Sequence, residues 1–181
     1  MANARFSIAP AYYTGSEVTP EVTVTHSGKT LVKDRDFIVT YQNNIEPRSY
    51  YNSQWVGIDG IGNYQGYVTK SFTINRADIS SCTVTLSDES LTYTGSSLRP
   101  TATVKSGDKE LTLNQDYYVS YRNNWDAGTA SAILTGTGNY TGSVTKDFTI
   151  KPLDISRYSA SLSQYSYTSD GTEKCPDVTV T

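Results

Sequence analysis

Apolar and polar residues alternate over short stretches along most of the chain. This alternation is clearest in 84–86, 102–104, 117–121 and 130–134. Clusters of Gly, Asn, Asp and Ser separate these stretches, which is the pattern of short strands joined by turns. No window places apolar residues at helical spacing over more than one turn. The pattern therefore predicts an all-β protein with antiparallel strands.

Sequence blocks recur along the chain at a nearly constant spacing. The block GNYQGYVTKSFTI (62–74) returns as GNYTGSVTKDFTI (138–150), displaced by 76 residues. A second set of matches is displaced by 80 residues: Tyr13/Tyr93, Pro20/Pro100, Leu31/Leu111, Asp36/Asp116, Tyr41/Tyr121 and Asn43/Asn123. The difference of four residues predicts an insertion in the first copy, between Asn44 and Gly62. Recurrence at this period is the signature of a repeat protein.

A third copy begins near the end of the chain. DIS (154–156) matches DIS (78–80), and CPDVTVT (175–181) resembles TPEVTVT (19–25). These matches predict a first repeat over 1–76, a second over 77–152, and a truncated start of a third over 153–181. An isolated β-hairpin is at best marginally stable in water. We therefore expect this last part to pair with a neighbouring chain or repeat through its open edges, unless the sequence simply ends inside a repeat.

Composition and charge exclude two classes of partner. The chain has 15 Tyr, 18% charged residues and a formal net charge of −3, with a sequence pI of about 5.1. Neither binding to nucleic acid nor an electrostatic attraction to anionic membranes is expected from such a chain. No apolar run approaches the roughly 20 residues that a membrane-spanning helix needs. The first ten residues, MANARFSIAP, lack the basic leader and apolar core of a signal peptide.

The order of motifs within a repeat resembles a known family. A YTG triplet is followed by a strand that begins with Pro, then by LTLNQDYYVSYRNN and GTASAILTGTGNYTGSVTKDFTI. This order resembles the tandem immunoglobulin-like repeats of surface and secreted proteins of Gram-positive bacteria. Six or seven short strands in about 75 residues agree with small antiparallel β-sandwiches of that type. No Cys-Trp-Cys pattern of antibody domains lies within a repeat.

The resemblance implies a function and a location. Such repeats serve as non-catalytic stalks, as spacers beside carbohydrate-active modules, and as parts of adhesins. Their location is extracellular or cell wall-associated, and their partners are the neighbouring repeats of a longer chain. We therefore expect a stalk or adhesin scaffold, with recognition of a glycan or a host surface protein as the alternative.

Residues for catalysis are sparse, so we expect no enzyme and no cofactor. His26 is the only histidine, and it lies in a Gly-containing turn with no second imidazole or cysteine beside it in sequence. No GxSxG, GxGxxG or P-loop pattern is present. Cys82 and Cys175 lie at non-equivalent repeat positions without a CxxC motif, which excludes a disulfide that recurs in each repeat.

Carboxylates could hold calcium, but their spacing argues for turns. Asp34, Asp36 and Asp59 lack the dense pattern of a calcium loop. Solvated turns with local hydrogen bonds are the simpler interpretation. Asp36 and Asp116 recur at one repeat position, which favours a structural hydrogen bond, so no metal is expected.

Two lysines fall on apolar strand faces. Lys70 shares its face with Val68, Phe72 and Ile74, and Lys146 has the equivalent position in the second copy. An unpaired buried ammonium is costly. One hypothesis is a lysine–asparagine isopeptide crosslink, for which each lysine would be the nucleophile. The alternative is a bulge, or a lysine whose stem lets its amine reach water.

Aromatic residues that break the repeat are the candidates for ligand contact. Trp125 replaces Ile45 of the first copy, and Trp55, Tyr50 and Tyr51 belong to the inserted region 45–57. Aromatic rings stack on the faces of sugars, so these four residues could form a contact surface. The alternative is that they are core or cross-strand partners.

Overall fold

The computed structural model describes residues 4–47 and 53–181. Within these ranges the chain is all-β, as the alternation predicted, with several small sheets consistent with a β-sandwich. The only helical elements of the described ranges are two 3₁₀ turns, Ile79–Ser81 and Ile155–Arg157. No helix of the described part is long and apolar enough to cross a membrane.

The first segment comprises residues 4–47 and 53–76 and forms three small sheets. Strands β1, β3 and β4 make one antiparallel sheet, and β5, β6 and β7 make another. Strand β2 pairs in parallel with β8. The strands are β1 (Ala4–Ile8), β2 (Ala11–Tyr12), β3 (Val22–His26), β4 (Lys29–Thr30), β5 (Phe37–Gln42), β6 (Gln54–Gly60), β7 (Tyr67–Phe72) and β8 (Ile74–Asn75).

The second segment, residues 77–152, pairs its strands in a similar way. Strands β10, β12 and β13 form an antiparallel sheet. A four-stranded sheet has the order β11-β17-β15-β14, with β11 parallel to β17, and β9 pairs in parallel with β16. The strands are β9 (Ala77–Asp78), β10 (Thr83–Leu86), β11 (Ser90–Thr92), β12 (Ala102–Ser106), β13 (Lys109–Glu110), β14 (Tyr117–Arg122), β15 (Gly128–Gly136), β16 (Tyr140–Thr141) and β17 (Ser143–Lys151).

The third segment, residues 153–181, has one antiparallel strand pair, β18 (Ala160–Leu162) with β19 (Val178–Val180). Nearly all of its residues are exposed, including Ile155 and Tyr165. A single pair of strands has no second layer against which to bury its apolar face, which explains this exposure. Self-association through this segment stays a prediction.

The alternating positions form the core. Side chains 84, 102, 104, 117, 130, 132 and 134 are buried, and 86, 119 and 121 on the same predicted faces are partly buried against the core, so the inward direction of these faces is confirmed. One buried cluster contains residues of both the first and the second segment. A smaller cluster around Ala130, Phe148 and Ile150 belongs to the second segment alone. The hydrophobic interior is therefore continuous from one segment into the next.

Matching tyrosines make the same hydrogen bond in both segments. The hydroxyl of Tyr41 donates to the carbonyl of Pro20, and that of Tyr121 to the carbonyl of Pro100, each at 2.6 Å. Burial raises the pKa of both phenols. These bonds connect β5 to the chain just before β3, and β14 to the chain just before β12.

A buried aspartate closes the same turn in both segments. Asp36 accepts a hydrogen bond from the amide of Val32, and Asp116 from that of Thr112, each at 2.9 Å. The structural hydrogen bond that the sequence favoured at this position is therefore present in both copies. The Arg35 guanidinium donates a hydrogen bond to Asp36 at 2.8 Å, and with the Val32 amide it lowers the pKa of Asp36 to about 2.

We expect the stabilisation by Asp36 to depend on pH. Its pKa falls from 3.8 to about 2 on folding, so its charge stabilises the fold above pH 3.8 and this contribution is lost as the pH falls through about 2. The difference in free energy of unfolding between the native chain and Asp36→Asn should therefore shrink between pH 5 and pH 2. Urea unfolding at several pH values measures it, with Asp126→Asn as the exposed control. A difference that does not change with pH would contradict the expectation.

Candidate functional site

The two tryptophans are exposed but lie in different segments. Trp55 is on β6 and is 43% exposed, and Trp125 is in the turn between β14 and β15 and is 54% exposed. The preceding residue, Asn124, donates its side-chain amide to the carbonyl of Leu98 at 2.8 Å and so anchors the start of this turn. Trp125 is not among the residues that line the groove at Trp55. Tyr50 and Tyr51 lie outside the described residues.

A groove surrounds Trp55 on one face of the β5-β6-β7 sheet. Its volume is about 290 Å³. Cross-strand pairing places Gln42 and Ser71 beside Trp55, and Thr40 and Thr69 beside Gly57. The residues that line the groove are Thr40, Gln42, Trp55, Gly57, Tyr67 and Thr69. None of their five side chains is charged at neutral pH, and Gly57 has no side chain.

Gly57 makes room for Tyr67 in this groove. A Cβ atom at Gly57 would lie 2.5 Å from the hydroxyl oxygen of Tyr67 and 2.7 Å from the hydroxyl oxygen of Thr40. The Tyr67 side chain therefore reaches over the glycine while remaining 64% exposed. Neither Gly57 nor Tyr67 was predicted as a contact residue, although both differ between the two copies.

At the aligned sheet positions the second segment lacks the aromatic residues and the glycine of this groove. Its aligned strands β15 and β17 carry smaller polar residues where the first segment has aromatic rings, and an isoleucine where it has the glycine. The corresponding residues are Trp55 and Ser131, Gly57 and Ile133, and Tyr67 and Ser143. The fold forms without the aromatic pair, so the pair is an addition of the first segment.

The first and second segments meet at a pair of tyrosines. The ring of Tyr13 packs edge-on against that of Tyr140, with 5.6 Å between centroids and 88° between planes. Tyr13 is 7% exposed and Tyr140 is 1% exposed. Lys109 donates a hydrogen bond to the Tyr13 hydroxyl at 3.2 Å, which raises the pKa of this lysine. Burial raises the pKa of Tyr140.

The residues that connect the two segments are held against the second one. The amide of Ala77 donates to the carbonyl of Asn139 at 3.0 Å as β9 pairs with β16. The Asn139 side chain also hydrogen-bonds to the Glu46 carboxylate of the first segment. Gly142 has φ of +76°, and a Cβ there would collide with the carboxylate of Asp78. Tyr13 belongs to the recurring YTG triplet, but no sequence pattern predicted its contact with Tyr140.

The counterpart of Tyr13 in the second segment, Tyr93, lines an apolar hollow beside the third segment. This hollow has a volume of about 570 Å³. Leu153, Ile155 and Tyr158 also line it. Tyr93 remains half-buried there, in contrast to the buried Tyr13.

The amines of Lys70 and Lys146, the lysines considered for an isopeptide crosslink, lie near a phenylalanine ring and a glutamate. The amine of Lys70 lies 5.3 Å from the centroid of the Phe6 ring. The amine of Lys146 lies 3.8 Å from a Glu89 carboxylate oxygen, and its side chain is partly exposed. Both observations agree with lysines whose amines reach the surface. The isopeptide crosslink stays a prediction.

The remaining titratable candidates are separate from the groove. His26 contacts the Tyr64 ring edge-on at 6.2 Å. Cys82 and Cys175 are free thiols, and burial raises the pKa of Cys82. Within 4–47 and 53–181, no group of three or more His, Cys, Asp or Glu side chains is arranged to hold a metal ion.

Comparisons with protein-family models, with curated proteins and with solved structures find no match to this chain. The geometry of the described residues therefore carries the functional conclusion. Its two distinctive features are the junction at Tyr13 and the groove at Trp55.

We expect Tyr13→Ala to lower the free energy of unfolding by about 3 kcal/mol, because it removes a buried ring and leaves a cavity beside Tyr140. Tyr13→Phe should cost less than about 1 kcal/mol, since it removes only the bond to an exposed lysine. Urea denaturation followed by circular dichroism measures both. The neighbouring Tyr12 is exposed, so Tyr12→Ala should stay within about 0.5 kcal/mol. Equal changes in the free energy of unfolding for Tyr12→Ala and Tyr13→Ala would contradict the expectation that packing at Tyr13 stabilises the fold.

Proposed function

We propose that this chain is a non-catalytic scaffold module of a bacterial cell-surface or secreted protein. Two immunoglobulin-like sandwiches follow one another in it and hold their neighbours at a defined separation, as in a stalk or adhesin. The observation that carries this proposal is the packed junction between the segments, where Tyr13 contacts Tyr140 and Lys109. The location is taken from the sequence resemblance.

The strand pairing supports the sandwich in each segment. In the first segment, β1 pairs with β3 of one sheet, and the next strand, β2, pairs in parallel with β8. In the second, β10 pairs with β12, and β11 pairs in parallel with β17. In both segments one strand, β1 or β10, thus joins the antiparallel sheet, and the next strand, β2 or β11, pairs in parallel with a strand at the end of the segment. Two sheets that face each other around a shared core are the architecture of immunoglobulin-like sandwiches.

The junction supports the scaffold role because it restricts movement between the segments. Domains joined by a flexible linker move relative to each other unless their interface is substantial and apolar. Here the backbone of Tyr13 is fixed by donating to the carbonyl of Asn75 at 2.9 Å, and its ring is buried against Tyr140. The connecting residues Ala77–Asp78 are paired as strand β9. Repeat proteins transmit stiffness through such nearest-neighbour contacts.

A distance measurement between the segments tests this proposal. Spin labels at Lys29→Cys and Asp126→Cys, both exposed positions, report the separation in a background where Cys82 and Cys175 are replaced by Ser. We expect a narrow distance distribution by pulsed electron paramagnetic resonance. Tyr13→Ala should broaden it, because the contact that fixes the angle is lost, whereas Tyr12→Ala should leave it narrow. A broad distribution in the parent chain would argue against a scaffold of defined length.

A further inference from the structure

We propose that the groove between Trp55 and Tyr67 binds one neutral pyranose ring of a carbohydrate. This site is an addition to the scaffold role and does not depend on it. It lies on the exposed face of the β5-β6-β7 sheet, opposite the face that forms the core.

The two exposed rings provide stacking surfaces. Trp55 is 43% exposed and Tyr67 is 64% exposed, and both line the same groove. Aromatic side chains have a large apolar surface and a polar tip, so they can cover the C–H face of a sugar and still hydrogen-bond at the edge. An exposed aromatic pair with no counterpart in the second segment is not required by the fold.

Gly57 lets the Tyr67 side chain approach the sheet in this groove. At the aligned position the second segment has Ile133, whose side chain would fill the same space. In the first segment the absence of a side chain leaves room for the Tyr67 hydroxyl and for the Thr40 hydroxyl over the sheet. The Tyr67 side chain covers Gly57 and lines the groove together with Trp55, so a ligand would lie against these two rings.

The polar atoms of the groove match the hydroxyl groups of a neutral sugar. Thr40 and Thr69 each supply a hydroxyl, and Gln42 supplies an amide that both donates and accepts. No charged side chain lines the groove, so it offers no partner for the carboxylate of an acidic sugar. Its volume of about 290 Å³ is at the small end for ligand sites, which suits one ring rather than several.

A structural role accounts for only part of this arrangement. An aromatic ring beside a glycine in a sheet can stabilise the strand pairing. That role would explain Tyr67 next to Gly57. It does not involve Trp55, which lies between Gln42 and Ser71 across the strands, whereas sugar binding would use both rings.

Nuclear magnetic resonance titration of the whole chain tests the proposal. The probes are the methyl β-pyranosides of glucose, galactose, mannose and N-acetylglucosamine, with methyl glucuronide as the charged comparison. We expect at least one neutral probe to shift the indole N–H signal of Trp55 saturably, with a dissociation constant of about 1 mM for a ligand this small. The indole signal of Trp125, assigned with Trp125→Ala, should not move.

Variants that copy the second segment supply matched controls. Trp55→Ser and Gly57→Ile copy the aligned residues Ser131 and Ile133, and melting followed by circular dichroism shows whether each variant is folded. Each should weaken binding at least about tenfold, because one removes a stacking ring and the other displaces the Tyr67 ring from the groove. Tyr67→Ser should weaken binding as well, and its melting temperature shows any structural contribution of the ring. Trp125→Ala and Tyr118→Ser remove exposed aromatics of the second segment and should leave binding unchanged.

Two results would overturn the proposal. One is a folded parent chain in which none of the neutral sugars shifts the indole N–H signal of Trp55. This result would count against the proposal even if a polypeptide were found to bind there. The other is binding that persists in both Trp55→Ser and Gly57→Ile, or that prefers the glucuronide. Neither result affects the distance between the segments, so the scaffold proposal and this one fail separately.

Discussion

The contact between Tyr13 and Tyr140 is the interaction on which the arrangement of the two segments depends. Tyr13 is held in place by backbone pairing at the edge of the first segment, and its ring closes over a residue of the second that is almost completely buried. Because the two cores meet there, burial is continuous across the boundary. Lys109 adds a hydrogen bond at the rim, where solvent limits its contribution. Packing, rather than charge, therefore sets the relation between the segments.

The groove at Trp55, where we propose a sugar site, lies on a sheet face that differs between the two segments. The buried faces of aligned strands must keep their apolar residues, because a second sheet packs against them. The exposed faces carry no such constraint, and here they differ: Gly57 and Tyr67 in the first segment correspond to Ile133 and Ser143 in the second. A change on the exposed face can thus create a binding surface without a cost to the core.

Several parts of the molecule could be predicted from the sequence because they rest on local rules. The buried alternation in β14 and β15, and the hydrogen bond of Asp36 and its counterpart Asp116, follow from side-chain period and from turn chemistry. The groove was predicted only in part. Trp55 was a candidate because it is an aromatic residue of the inserted region. Tyr67 lies in the block 62–74, which recurs in the second segment, and Gly57 has no side chain that could suggest a contact. Their proximity depends on the pairing of β6 with β7.

By itself the sequence determined the β class, the period of the motifs and the faces that turn inward, since each depends on residues close together in the chain. Tertiary structure decided which tyrosines meet at the junction, which aromatics share a groove and where the lysine amines point. Tyr13 and Tyr140 are separated by more than a hundred positions, and strand register with segment packing brings them together. Cross-strand distances are only a few ångströms regardless of separation in sequence. That is why contacts of this kind come from the folded chain and not from local pattern.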